Sequence, residues 1–305
     1  MDMNQRSLRP QQQSAQSAQP VKRDRSIGAL LIDSRHLSPS DAESVMRYAR
    51  THDMRFGDAA VKLGLVTRAN VQHALARQFD YPYLALDDDT VSREVVAAYA
   101  PFTAPVEALR ALRTQLLLRW YESDPPHKAI AVVSARPGEG RSFLAANLAV
   151  VFSQLGERTL LIDADLRNPR QHEIFQLPDR VGLSAILAGR GNENVIQRIH
   201  GLLGLSVMPA GAPPPNPQEL LSRPAFGAML SGFGSHYDVV ILNTPAALSG
   251  ADFQSVASAA EGALLVTRRN FSRASESRLV NEYITAAGAS VVGAAQRPLG
   301  TSVAF

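Results

Sequence analysis

From Lys128 onward, short apolar runs alternate with longer segments whose apolar residues recur at helical spacing. Six of the runs, KAIAVVSA, RTLLIDADL, GLSVMPAG, DVVILNTP, GALLVTRR and SVVGAAQR, are rich in Val, Leu and Ile and end in polar or glycine-containing turns. Strands of a parallel sheet read this way because helices cover both faces. Between the first two lies SFLAANLAVVFSQLG, which puts Leu144, Leu148, Val151, Phe152 and Leu155 on one helical face and Gly156 where a C-cap belongs. The alternation predicts an α/β fold, a doubly wound, mostly parallel sheet with its binding crevice at the carboxyl ends of the strands.

Upstream the pattern changes. Met1 to about Arg25, with QQQSAQSAQP at its centre, has no apolar periodicity. It has too little to bury to offset the entropy of ordering, so a disordered tail over 1–25 is expected. A shift of 29 residues lays SIGALLIDSRHL, from Ser26, on RFGDAAVKLGLV, from Arg55. Each copy reads as glycine, apolar turn, short loop and second helix. The second copy holds Arg55, Gly57, Val61, Gly64, Leu65, Val66, Val71, Leu75 and Gln78. In the first, Ser26 stands opposite Arg55, Arg35 opposite Gly64, His36 opposite Leu65 and Ala49 opposite Gln78. A small, mostly helical tandem-repeat domain is therefore expected over 26–100, with YPYLALDDD as a closing strand and acidic turn. The sheet domain follows over 101–305. It opens with VEALRALRTQLLLRWY, a helix on which Glu107, Arg110 and Arg113 form a slanted charged row and Leu109, Leu112, Leu116 and Leu117 an apolar face. Standing directly before the sheet domain, the row is a candidate oligomer contact.

Composition narrows the function classes. The chain has 305 residues and no cysteine, which excludes disulfides, thiolate metal sites and a cysteine nucleophile and fits the cytoplasm. No apolar run reaches the roughly 18–20 residues that span a bilayer, so any membrane role is expected through a partner. The net charge is +3, with basic residues scattered among acidic ones except in VKRDR, Val21 to Arg25. No nucleic acid is implied, and that short run reads as a solvated linker.

The chemistry gathers at the strand ends. Ala135, Arg136, Pro137, Gly138, Glu139, Gly140, Arg141, Ser142 and Phe143 join a strand to a helix. Gly138 and Gly140 let backbone N–H groups turn toward phosphate oxygens, and the helix N-terminus adds its positive dipole. Ser142 is placed to put its hydroxyl on Mg2+. Asp163 and Asp165, two apart at a strand end, would face one side, and paired carboxylates at a phosphate site want a cation between them. A third strand ends in Asn243, where such sites usually carry an aspartate. A nucleotide phosphate and Mg2+ are the expected ligands.

These pieces together resemble the bacterial tyrosine kinases of capsular and exopolysaccharide chain-length systems, over about Val106 to Pro298. The matching motifs are PGEGRS as Walker A, LLIDADLR as Walker A′ and ILNTP as Walker B, with GLSAILAGR and PAGAPPPNPQELL between them. Glu107, Arg110 and Arg113 fit that family's oligomerisation motif. The repeat over about Ser26 to Leu86 resembles the tandem N-terminal domain of type II secretion and pilus ATPases, whose best-known form binds cyclic di-GMP through the arginine and glutamine ends of both motifs. Only one copy keeps those ends here, so a helical docking module without tight cyclic di-GMP binding is expected. The combination looks like that of exosortase-linked exopolysaccharide loci.

The resemblance implies a cytoplasmic, ATP-binding homo-oligomer, held at the inner membrane by a membrane polysaccharide co-polymerase, that transfers the γ-phosphate to tyrosine. Asp163 would be base and Mg2+ ligand, Asp165 a second acid shaping the metal site, Arg141 the phosphate clamp, and Asn243 a holder of metal-bound water. Three features depart from the family. Arg141 replaces the Walker A lysine, Asn243 replaces the Walker B aspartate, and RPLGTSVAF closes the sequence without the tyrosine cluster. They keep open a second reading, a catalytically weak nucleotide-binding scaffold that regulates such a co-polymerase. A third, a positioning ATPase of the MinD/ParA kind, would have a lysine where Arg136 stands.

Overall fold

The computed structural model describes residues 26–79, 82–85 and 88–297. The tail expected over 1–25 and the end of the chain after Arg297 lie outside the described residues. Two compact units divide between Gln78 and Phe79.

In the first unit, α1 (Ile27–Asp33), α2 (Pro39–Thr51), α3 (Phe56–Lys62) and α4 (Arg68–Gln78) bury Leu30, Leu31, Val45, Ala59, Ala60 and Ala74 together. Ser26 and Ser38 cap α1 and α2, their hydroxyls accepting from the N–H groups of Ala29 and Asp41. The bounds of α1 and α3 are 29 positions apart at both ends, Ile27 against Phe56 and Asp33 against Lys62. The turn after each is left-handed, with φ +58° at Arg35 and +70° at Gly64. A side chain in that region costs about 1 kcal/mol, so the first copy makes the same turn with a poorer residue. Glycine at position 57 has a steric reason, since a Cβ there would stand 2.6 Å from Val71 Cγ1.

The second unit is built on β1 (Ala129–Val133), β2 (Thr159–Asp163), β3 (Gln197–Arg198), β4 (Leu205–Met208), β5 (Val239–Asn243), β6 (Gly262–Arg268) and β7 (Ser290–Arg297), in the order β3-β4-β2-β5-β1-β6-β7. All neighbours run parallel except β3 and β4. Six strands coincide with the six apolar runs. The two-residue β3 has no period to detect. Alternate residues feed two cores, with Ile130, Val132, Leu161 and Ile241 on one face and Ala131, Val133, Ile162 and Leu242 on the other. The helices are α5 (Val96–Tyr99), α6 (Ala104–Leu116), α7 (Arg141–Ser153), α8 (Gln171–Ile174), α9 (Leu183–Leu187), α10 (Pro217–Leu221), α11 (Pro224–Phe233), α12 (Asp252–Ala260) and α13 (Ala274–Ala286). No helix among the described residues is long and apolar enough to cross a membrane.

Three expectations are corrected. Every residue of α7 from Leu144 to Ser153 is buried, because the sheet covers one side and α5 and α6 the other. Leu155, placed by periodicity on the inner face, lies beyond the helix and is 48% exposed. The domain boundary falls at 78/79 rather than 100/101. Here the buried amide of Asn147 accepts from the Ala97 N–H and donates to the Glu94 carbonyl, both at 2.9 Å, and Gln154 Nε2 donates to the carbonyls of Pro82 and Ala97. Those bonds fasten the segment before α6 to α7. Finally, Pro82–Ala85 is not a strand. Leu84 donates its N–H to the Ala98 carbonyl at 2.7 Å, a bond to a helix end and not to a ladder.

Candidate nucleotide-binding site

The interior strand β1, between β5 and β6, runs into a loop that ends at the first residue of α7, Arg141. Gly138 and Gly140 sit at φ +82° and +105°, which a side chain would strain. At Gly140 a Cβ would also stand 2.9 Å from Arg297 Cδ. Glu139 is fully buried and braces the loop: one carboxylate oxygen accepts from the Arg136 N–H at 2.7 Å, the other from the Ser272 hydroxyl. Arg136 forks onto Glu276 of α13, with Nε and Nη2 donating at 2.6 and 2.5 Å. The loop is thereby tied to the turn between β6 and α13.

Arg141 is also tied into the protein. Its Nε donates to the Thr244 carbonyl at 2.9 Å, and Nη1 donates to the Ser134 hydroxyl and, at 2.9 Å, to the Arg136 carbonyl. A planar guanidinium makes these bonds from two nitrogens at once, a fixed spread that the single nitrogen of an ammonium does not offer. Burial pulls its pKa below the usual arginine value, and the charges of Asp165 and Glu139 oppose that shift.

β2 ends at Asp163, in register with Asn243 of β5. Asp163 is fully buried. Its Oδ1 accepts from Asn243 Nδ2 at 2.8 Å and the Asp165 N–H at 3.3 Å; its Oδ2 accepts from the N–H groups of Arg170 and Gln171, both at 2.9 Å. A carboxylate offers about four lone-pair positions, so all of them are taken. Burial pushes the Asp163 pKa up to about 6, against the pull of the Gln171, Asn243 and Arg170 donors. Asp165 lies beyond the strand, in the following turn, so strand alternation does not place it. Its Oδ1 accepts from the N–H groups of Asn168 and Arg167, at 2.9 and 3.3 Å, while Oδ2 has no hydrogen-bond partner among the described residues. Burial raises its pKa, and the Arg141 charge opposes the rise.

Whether these residues suit Mg2+ can be judged from the acceptors they leave over. The described residues hold no group of three His, Asp or Glu side chains able to bind a metal. Asn243 Oδ1 and Gln171 Oε1, however, are buried without a hydrogen-bond partner. Hard oxygen acceptors and few carboxylates suit a Mg2+ ion that keeps several of its waters. The residues fit the ion.

The charged row on α6 is split. Glu107 pairs with Arg110 one turn on, and Arg113 Nη1 turns inward to donate to the Val151 carbonyl at 2.7 Å, near the C-terminal end of α7. A cation is favoured at that end of a helix. Sequence reasoning missed Gln171, Ser272 and Glu276, because their partners lie far along the chain and no motif spacing points to them.

A glycine loop between an interior parallel strand and a helix, in a sheet where another parallel strand ends in an acid, defines a P-loop nucleotide-binding protein. No protein-family model matches the chain. It is 35% identical over 204 residues to the tyrosine-protein kinase YwqD of Bacillus subtilis, covering 67% of this chain and 85% of that one. It is 34% identical over 218 residues to the tyrosine-protein kinase Etk of Escherichia coli K12, covering 72% of this chain. The solved kinase domain of Escherichia coli tyrosine kinase ETK matches with a TM-score of 0.64 at 34% identity, covering 69% of this chain and 83% of that domain. The chain belongs to the bacterial tyrosine-protein kinases, and it spans 28% of the length of Etk.

Proposed function

We propose that the protein binds ATP with Mg2+ on the loop from Ala135 to Phe143 and transfers the γ-phosphate to a tyrosine, regulating exopolysaccharide chain length, synthesis or export. The observation that carries this reading is the loop itself, two left-handed glycines at the N-terminus of α7 facing the ends of β2 and β5. Backbone N–H groups of the loop would hold the phosphates. Mg2+, when bound, would supply charge stabilisation at the phosphoryl oxygens. The roles of the two acids are exchanged relative to the expectation from sequence. Asp163, with every acceptor position taken, holds Gln171, Asn243 and the turn after β2 in place. Asp165 Oδ2 is the free carboxylate oxygen for the proton of the attacking tyrosine hydroxyl or for the cation, and the Ser142 hydroxyl would be the second ligand.

A second reading draws on Arg141. Its side chain already satisfies three protein acceptors, which favours a scaffold that binds nucleotide and turns it over slowly. In both readings the protein works in the cytoplasm, at the inner membrane through a polysaccharide co-polymerase, with the helices before Phe79 as docking module. Incubating the purified full chain with ATP and Mg2+ and probing for phosphotyrosine separates the two. A signal supports the kinase, and nucleotide binding without a signal supports the scaffold. If ATP and ADP do not bind at all, both readings fall.

Assembly is proposed to run through the exposed Glu107 and its half-buried partner Arg110, with Arg113 setting the pose of α6 on α7. Light scattering of Arg110→Ala with nucleotide present should report a smaller particle than the parent. Equal masses would make the row ordinary solvated surface.

A further inference from the structure

Gln171 stands at the start of α8, fully buried and bonded on one side to Asp163 and on the other to the first turn of α7. Its backbone N–H donates to Asp163 Oδ2 at 2.9 Å, and its side-chain Nε2 donates to the Ser142 carbonyl at 3.2 Å. The second bond fixes the sense of the carboxamide, because turning it over would set Oε1 against the Ser142 carbonyl oxygen, acceptor against acceptor. In the fixed sense Oε1 is buried and unpartnered. The other orphan acceptor, Asn243 Oδ1, belongs to the amide that donates to Asp163 Oδ1. The two residues that carry these buried, unpaired amide oxygens both donate to the Asp163 carboxylate, Gln171 of α8 through its backbone N–H and Asn243 of β5 through its side-chain amide. A buried acceptor without a donor costs about 1–3 kcal/mol, so two of them on residues bonded to one acid call for donors from outside the protein.

We infer that Gln171 is a positioning residue of the divalent-cation site, its Oε1 accepting a hydrogen bond from a water that the cation carries, alongside Asn243 Oδ1. The inference rests on the nucleotide and Mg2+ reading above. Mg2+ sheds its waters reluctantly, so acceptors placed for those waters contribute as much to its position as direct ligands do. The Gln171 bond to Ser142 joins this shell to the first turn of α7. One side chain therefore couples the cation to the phosphate loop.

Calorimetry of ADP binding to the full chain, in Mg2+ and in EDTA, tests this without any turnover. Gln171→Leu should bind ADP at least about tenfold more weakly in Mg2+, the scale of outer-shell losses, and with unchanged affinity in EDTA. Gln171→Glu keeps an acceptor on the cation side but gives up the donor to the Ser142 carbonyl, so it should bind ADP more weakly in both buffers and still retain the gain from Mg2+. Equal weakening of the leucine variant in both buffers would reduce Gln171 to a brace of the loop, and no weakening in either would remove it from the site. Should the leucine variant not fold, loss of the Mg2+ gain in the glutamate variant overturns the inference. A parent protein that binds ADP equally in both buffers sinks the Mg2+ reading as well, whereas a parent with a Mg2+ gain that Gln171→Leu keeps sinks this inference alone.

Discussion

Arg141→Ala is expected to lose both nucleotide affinity and stability, with ADP binding weakened by about 100-fold, or nearly 3 kcal/mol. The guanidinium holds the Thr244 carbonyl, the Ser134 hydroxyl and the Arg136 carbonyl at once. Alanine leaves all three acceptors without their donor in a buried pocket, where each unsatisfied group costs about 1–3 kcal/mol before water enters. The truncation therefore loosens the segment from Ser134 to Arg136 that must present N–H groups to phosphate. It also removes the buried cation facing Asp165, whose carboxylate then loses an opposing charge. With roughly 2–4 °C per kcal/mol for a unit of this size, melting should drop by about 6–12 °C for a 3 kcal/mol loss. Differential scanning calorimetry and ADP titration read the two effects separately. If the variant melts with the parent but binds ADP poorly, Arg141 serves phosphate alone and the internal tie is incidental. If both are unchanged, Arg141 has no part in the site.

The sheet was legible because each buried parallel strand writes itself as a contiguous apolar run, and all six such runs became strands. The phosphate loop was legible because its requirement, glycine at left-handed positions between strand and helix, is local. The rest depended on side chains meeting backbone from distant segments. Asn147 and Gln154 reach the carbonyls of Pro82, Glu94 and Ala97, and nothing in the 26–100 pattern announces that its last third belongs to the sheet domain. Arg113 reads as part of a charged row until the end of α7 is seen beneath it. Asp163 and Asp165 were expected on one face because they stand two apart at a strand end, yet the strand stops at Asp163 and the segment after it folds its own N–H groups back onto that carboxylate. Position along a motif names the candidate residues; the division of labour proposed among them comes from counting donors and acceptors.

That count also decides what Asn243→Asp should do, alone and with Arg141→Lys. In the parent, Asn243 gives Asp163 a hydrogen bond at 2.8 Å, so the buried acid is satisfied with no cation present. An aspartate at 243 withdraws that donor and sets two carboxylates at hydrogen-bond distance, where one proton must be shared or a cation must stand between them. The single variant should therefore melt lower than the parent in EDTA, by the equivalent of about 1–3 kcal/mol, and recover with Mg2+ and ADP. The pH dependence follows from the raised pKa of the pair. The folded state is favoured below the unfolded carboxylate pKa of about 3.9 and penalised as pH rises through the higher folded value, so the deficit shrinks on acidification. Lysine at 141 then supplies a compact charge for phosphate, and the double variant should turn over ATP at least about tenfold faster, roughly 1.4 kcal/mol off the barrier. The two changes should be non-additive, since both act on one phosphate and cation cluster. A single variant as stable in EDTA as the parent would show that Asn243 is not the metal-free partner of Asp163. A fast parent and a slower double variant would make arginine and asparagine working parts of an adapted kinase site, and the scaffold reading would have to be given up.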